Sequence, residues 1–97
     1  MLKALIACRT GMGSSMMLKI KVDQVLRENN FEMDVTHDDI NAVSTFSGDV
    51  LITMADLAPE MKGRVKYVIG IENLMDKNEI KTKLLSFQFW KKIERGY

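Results

Sequence analysis

Leu2-Lys3-Ala4-Leu5-Ile6-Ala7-Cys8-Arg9-Thr10-Gly11-Met12-Gly13-Ser14-Ser15 decides the fold. Leu2–Ala7 is a nearly continuous apolar run of strand length, the pattern of a strand buried on both faces. A glycine-punctuated turn follows, and a helical pattern begins at once. Leu18, Val22, Val25 and Leu26 fall on one helix face at i, i+4, i+7 and i+8. Ser14 or Ser15 is the predicted cap and Asn29-Asn30 the predicted stop. This strand–turn–helix places the chain's one cysteine at the carboxyl end of a strand, facing a helix N-terminus.

The rest of the chain repeats the alternation. Phe31, Met33 and Val35 alternate with Glu32, Asp34 and Thr36, which predicts a half-exposed edge strand. Thr36–Phe46 predicts a loop with a short helix, closed by the Ser47-Gly48 turn. Val50–Met54 is a second continuous apolar run and predicts a central strand. Asp56 to Glu60 opens a brief helix with Pro59 in its first turn, ended by Gly63. Val65–Ile71 predicts the fourth strand. Asp76 and Glu79 form a capping-box-like start for a helix to Arg95, with Ile80, Leu84 and Phe87 on its inner face. The pattern β-α-β-α-β-α-β-α implies a parallel sheet with right-handed crossovers. Apolar first and third strands belong in the middle, which predicts a four-stranded parallel sheet of order 2-1-3-4, flavodoxin-like and flanked by helices. Ligands of such sheets bind at the switch point between strands 1 and 3, where Cys8 lies.

Composition narrows the function. The 97 residues fit one domain spanning 1–97, with 46% hydrophobic and 28% charged residues. Net charge is +1, from 14 basic and 13 acidic residues, which argues against a nucleic-acid binder. One cysteine excludes an internal disulfide. The apolar run before Cys8 is too short for a signal-peptide core or membrane span, so the chain reads as cytoplasmic, without direct membrane insertion.

The Cys8 loop contains the parts of a phosphoryl acceptor. A thiol at a helix N-terminus is expected to titrate below the free value of about 8.5. Gly11 and Gly13 allow positive φ, so that successive N–H groups can form an anion nest. Ser14 and Ser15 add hydroxyl donors, and the helix dipole adds positive potential. Arg9, Thr10 and Met12 complete the candidate phosphate-binding loop. The residues alone leave a second reading open, in which Cys8 is a buried structural thiol and the glycines only turn the chain. A nucleotide P-loop needs Lys after its second glycine, where this chain has Ser14. A dinucleotide fingerprint needs a third glycine, where it has Met16. Low-molecular-weight tyrosine phosphatases and one class of arsenate reductase place an arginine at the sixth position after the cysteine. Here that position is Ser14, which weakens hydrolytic transition-state stabilisation.

A thiol that holds phosphate without quickly losing it to water is a carrier. Cys8–Ser15 resembles the phosphocysteine loop of the IIB components of bacterial sugar phosphotransferase systems, ascorbate-type and the related galactitol and mannitol types. Ser14-Ser15-Met16-Met17-Leu18-Lys19-Ile20-Lys21-Val22-Asp23 is most similar to the ascorbate branch. Arg9 departs from it, since ascorbate-type members often have Gly there. The resemblance implies that a IIA protein phosphorylates Cys8, and that phospho-Cys8 supplies a sugar-like substrate held by a membrane IIC component. No cofactor is expected, and no metal, since no His/Cys/Asp cluster has metal-ligand spacing. Low-molecular-weight phosphatase or reductase chemistry, and a non-catalytic anion-binding regulatory module, are the rival readings.

Other residues have weaker claims. His37, the one histidine, reads as a solvated loop residue, although it could lie near the site. Asp56 reads as a helix cap. Met16 and Ile20 point away from the Leu18–Val22–Val25 face and, with Met12, form a candidate partner-docking surface. The alternative is that they pack beneath the last helix. Leu85, Phe89 and Ile93 form a second stripe on that helix, expected to pack in the core or between subunits.

Overall fold

The computed structural model describes residues 2–8 and 12–95, without the side chains of 12–14 and 94–95. Four strands, β1 (Lys3–Cys8), β2 (Asp34–Asp39), β3 (Val50–Met54) and β4 (Val68–Ile71), form one sheet. The order is β2-β1-β3-β4 and all pairs are parallel, as the alternation of elements predicts. Helices α1 (Met12–Glu28) and α3 (Lys77–Arg95) cover one face. A 3-10 helix (Ile40–Thr45) and the short α2 (Ala58–Met61) cover the other.

The pleat divides the core. Ala4, Ile6, Cys8, Val50 and Ile52 turn to α1 and α3, where they meet Leu18, Val22, Val25, Ile80, Leu84 and Phe87. Leu5, Ala7 and Leu51 turn the other way, to Val43, Leu57 and Met61. Both central strands are therefore apolar on both faces, which is why they read as continuous runs. Trp90 and Phe87 pack tilted against Tyr67 at ring-centroid distances of 4.9 and 5.2 Å. Asp49 joins the amino ends of the strands. Its carboxylate accepts the Lys3 N–H at 2.9 Å and pairs with Lys91 at 3.1 Å.

Two strands begin later than the alternation suggests. The α1 helix ends as Asn29-Asn30 predicts, with Asn30 at φ 52°. The Phe31 N–H donates to the Leu26 carbonyl at 3.0 Å and the Asn30 N–H to that of Arg27 at 3.4 Å. This closing motif uses Phe31 as its hydrophobic residue, so β2 starts at Asp34 and runs on through His37 to Asp39. The fourth strand shortens because Gly63, at φ 91°, turns the chain and Val65 bridges Lys62 instead of joining the sheet.

Candidate functional site

Cys8 ends β1, the strand between β2 and β3, and is buried at 2% exposure. Strand pairing sets it beside Asp39. Arg9, Thr10 and Gly11 lie outside the described residues, and of Met12, Gly13 and Ser14 only the backbone is described. That backbone is helical from Met12, two residues before the expected Ser14 cap. Gly13 thus occupies the first turn of α1 instead of the left-handed turn expected of it. Ser14 and Ser15 also stand inside the helix, not at its cap.

Ser15 is fully buried, and its hydroxyl lies 3.3 Å from Nδ1 of His37. His37 therefore sits in β2 and bonds to the first turns of α1, and is not a solvated loop residue. The period-2 pattern carries the signal. His37 continues the face of Met33 and Val35, and extending that strand by one pair brings it beneath α1.

Burial pushes the Cys8 thiol above its ordinary range, and the Asp56 carboxylate pushes it further. This reverses the depressed value expected from the helix N-terminus. A thiolate 2% exposed loses most of its hydration, and a nearby carboxylate opposes its charge. Asp56 reaches Cys8 because it follows β3, the neighbour of β1. It is not a helix cap: Leu57 holds the N-cap position of α2, without a side-chain capping bond. Asp39 is the cap nearby, accepting the Asn41 N–H at 2.8 Å.

Met16 and Ile20 are exposed at 52% and 47%, so they do not pack beneath α3. Met17 joins them at 46%, a residue the wheel alone did not single out. Leu85, Phe89 and Ile93 are likewise exposed, not part of the core. A groove of about 400 Å³ follows the outer edge of β4, lined by Ala58, Pro59, Lys62, Tyr67, Lys83 and Ser86 among others, and does not include Cys8. Among the described residues no group of three His, Cys, Asp or Glu could hold a metal ion. No helix there is long and apolar enough to cross a membrane.

A cysteine ending the first strand of a 2-1-3-4 parallel sheet, with the next helix starting four residues on, defines a small α/β domain with a thiol at the carboxyl edge of its sheet. The chain belongs to the PTS IIB family: the model of the lactose/cellobiose-specific IIB subunit of the PTS system matches residues 3–86. It is 36% identical over 81 residues to the ascorbate-specific PTS system EIIB component of Mycoplasma pneumoniae, covering 80% of this chain and 85% of the relative. It is also 36% identical over 87 residues to the protein of that name from Salmonella typhimurium, covering 86% and 85%. Membership makes the chain a transferase of a sugar phosphotransferase system.

Proposed function

We propose that Cys8 is the phosphoryl acceptor, loaded by the phosphohistidine of a IIA protein and discharged to a sugar-like substrate on a membrane IIC component. The observation that carries this reading is the position of Cys8, at the carboxyl end of an inner strand and beside the start of α1, in a member of the IIB family. In the loading step the Cys8 proton is released, sulfur attacks phosphorus in line, the N–P bond breaks and the leaving imidazole takes up a proton. Arg9, Thr10, Gly11, Met12, Gly13, Ser14 and Ser15 form the phosphate cradle, with backbone N–H groups and hydroxyls as donors. Ascorbate is the substrate to test first, given the names of the relatives.

The raised thiol has a role in this cycle. A buried, protonated Cys8 is a poor target for oxidants and alkylating agents at rest. Its proton leaves only as the S–P bond to the donor's phosphorus forms, so no free thiolate accumulates at rest. The Asp56 carboxylate opposes a phosphate on Cys8 as it opposes the thiolate, so phospho-Cys8 gives up its group readily. The exposed Met16, Met17 and Ile20 provide an adaptable apolar contact for IIA. The reaction takes place on the cytoplasmic side of the membrane.

The test is transfer from purified phospho-IIA. Met16→Lys with Ile20→Lys should raise the apparent KM for phospho-IIA while leaving the melting temperature unchanged. Normal transfer by this folded variant would move the docking surface elsewhere.

A further inference from the structure

Among the described residues the large exposed apolar side chains all lie on one side of the molecule or at its border. Six of the seven large ones, Met16, Met17, Ile20, Leu85, Phe89 and Ile93, lie on α1 and α3, and Met75 stands in the turn before α3. Among the described residues the layer of the 3-10 helix and α2 exposes none. Charge is divided in the same way. Helices α1 and α3 contain nine basic and four acidic residues, whereas the rest of the chain contains five basic and nine acidic. A chain of net charge +1 is thus basic on the α1/α3 layer and acidic elsewhere.

The outer row of α3 concentrates both properties. Leu85, Phe89 and Ile93 recur every four residues, 42%, 64% and 45% exposed. Lys81 and Lys92 are exposed along the flank of this row. Lys77, Lys83 and Lys91 are each paired with an acid, namely Glu28, Glu79 and Asp49, and among the described residues no such pair is found for Lys81 or Lys92. The carboxyl-terminal part of the row, Phe89 and Ile93, lies toward the end of the molecule away from Cys8. Trp90 beside it packs tilted against Tyr67, and Lys91 holds Asp49, both at the amino ends of strands, whereas Cys8 ends one.

We propose that this outer face of α3 docks on an anionic lipid surface, with Phe89 in the interface and Lys81 and Lys92 against acidic headgroups. A second copy of the chain fits less well. It would bring lysine flanks together, and the described carboxylate of α3, Glu79, is turned inward to Glu72, Asn73 and Lys83. A bilayer supplies both the negative charge and the apolar boundary that a basic helix with an aromatic outer row takes up. The proposal rests on the carrier reading in that the acceptor stands in a membrane. Docking through α3 keeps the carrier near it and leaves the Cys8 end uncovered for both exchanges.

Flotation with vesicles tests this. The chain should rise with phosphatidylcholine vesicles containing phosphatidylglycerol at low salt, remain below with phosphatidylcholine alone, and be released by added salt. Phe89→Ser should weaken the association about tenfold. Replacing Lys81 and Lys92 by Gln should cost about fivefold each. Both variants should keep the melting temperature and the ability to accept phosphate in solution, a readout that separates this proposal from the carrier reading. Absence of flotation, or flotation that these variants leave unchanged, overturns it. So does a stable dimer that Phe89→Ser dissociates, which would give the face to a second copy.

Discussion

Gly70→Ala tests how tightly the turn bearing Asp56 is packed on the sheet. Gly70 lies in β4 opposite Thr53. A Cβ added there would stand 2.8 Å from Cβ of Ala58 and 3.1 Å from Cα of Ala55. Carbon atoms in contact prefer about 3.5–4.0 Å. The neighbours are a short helix and its lead-in backbone, not the end of a flexible side chain, so relief requires the whole Ala55–Ala58 turn to move. Such overpacking costs about 1–3 kcal/mol. For a domain of this size each kcal/mol lowers Tm by about 4–8 °C, and thermal unfolding by circular dichroism reads the loss. The turn includes Asp56, so the alkylation rate of Cys8 should change in the same variant. Ala58→Gly removes the closest atom. Alone it should destabilise, and in the Gly70→Ala background its cost should shrink or reverse. A Gly70→Ala protein with the parent Tm would refute the close packing and with it the fixed placement of Asp56.

The Thr53 hydroxyl is fully buried and has no hydrogen-bond partner among the described residues, so Thr53→Val should raise stability by about 1 kcal/mol, read as a higher Tm; a fall would reveal an unrecognised partner. Asp56→Asn removes one of the two causes that raise the Cys8 thiol, and alkylation should then begin at lower pH; an unchanged profile would separate the two residues. Acid should destabilise the fold through Asp49 and Glu79, both held below the usual carboxylate range. For Asp49 the Lys3 N–H is the main cause, with burial opposing it and Lys91 helping. For Glu79 burial opposes the charge, but the Glu72 N–H, Lys83 and the Asn73 N–H outweigh it. Each contributes stability above its unfolded value of about 4 that is lost as pH falls through the lower folded value. Asp49→Asn with Glu79→Gln should flatten that decline in a Tm series; an equally steep decline would assign it to other carboxylates.

Much of this was legible because the two inner strands are apolar throughout and the turns carry Asn29-Asn30, Pro59 and Gly63. Val50–Met54 matches β3 to the residue. The strand edges were less legible. Phe31 and Met33 alternate like strand residues, but a helix-closing motif claims Phe31, and nothing in a period-2 pattern tells these uses apart. Asp76 does cap α3, accepting the Asn78 and Glu79 N–H groups at 3.0 and 3.2 Å. Glu79 does not return the bond as a capping box requires, because the turn after β4 offers it two N–H groups. At the site, position was readable and electrostatics were not. The place of Cys8 follows from strand order, whereas its titration depends on burial and on Asp56, 48 residues away in sequence. His37 was underrated for the same reason, since its bond to Ser15 spans 22 residues.

The central claim is that Cys8 holds the phosphoryl group. The chain would be incubated with phosphoenolpyruvate, the general phosphotransferase proteins and a matching IIA, then analysed by intact mass and peptide mapping. One phosphoryl group should appear, on the peptide containing Cys8, and none on a folded Cys8→Ser variant. Phosphate on the His37 peptide, or undiminished labelling of Cys8→Ser, would contradict the account.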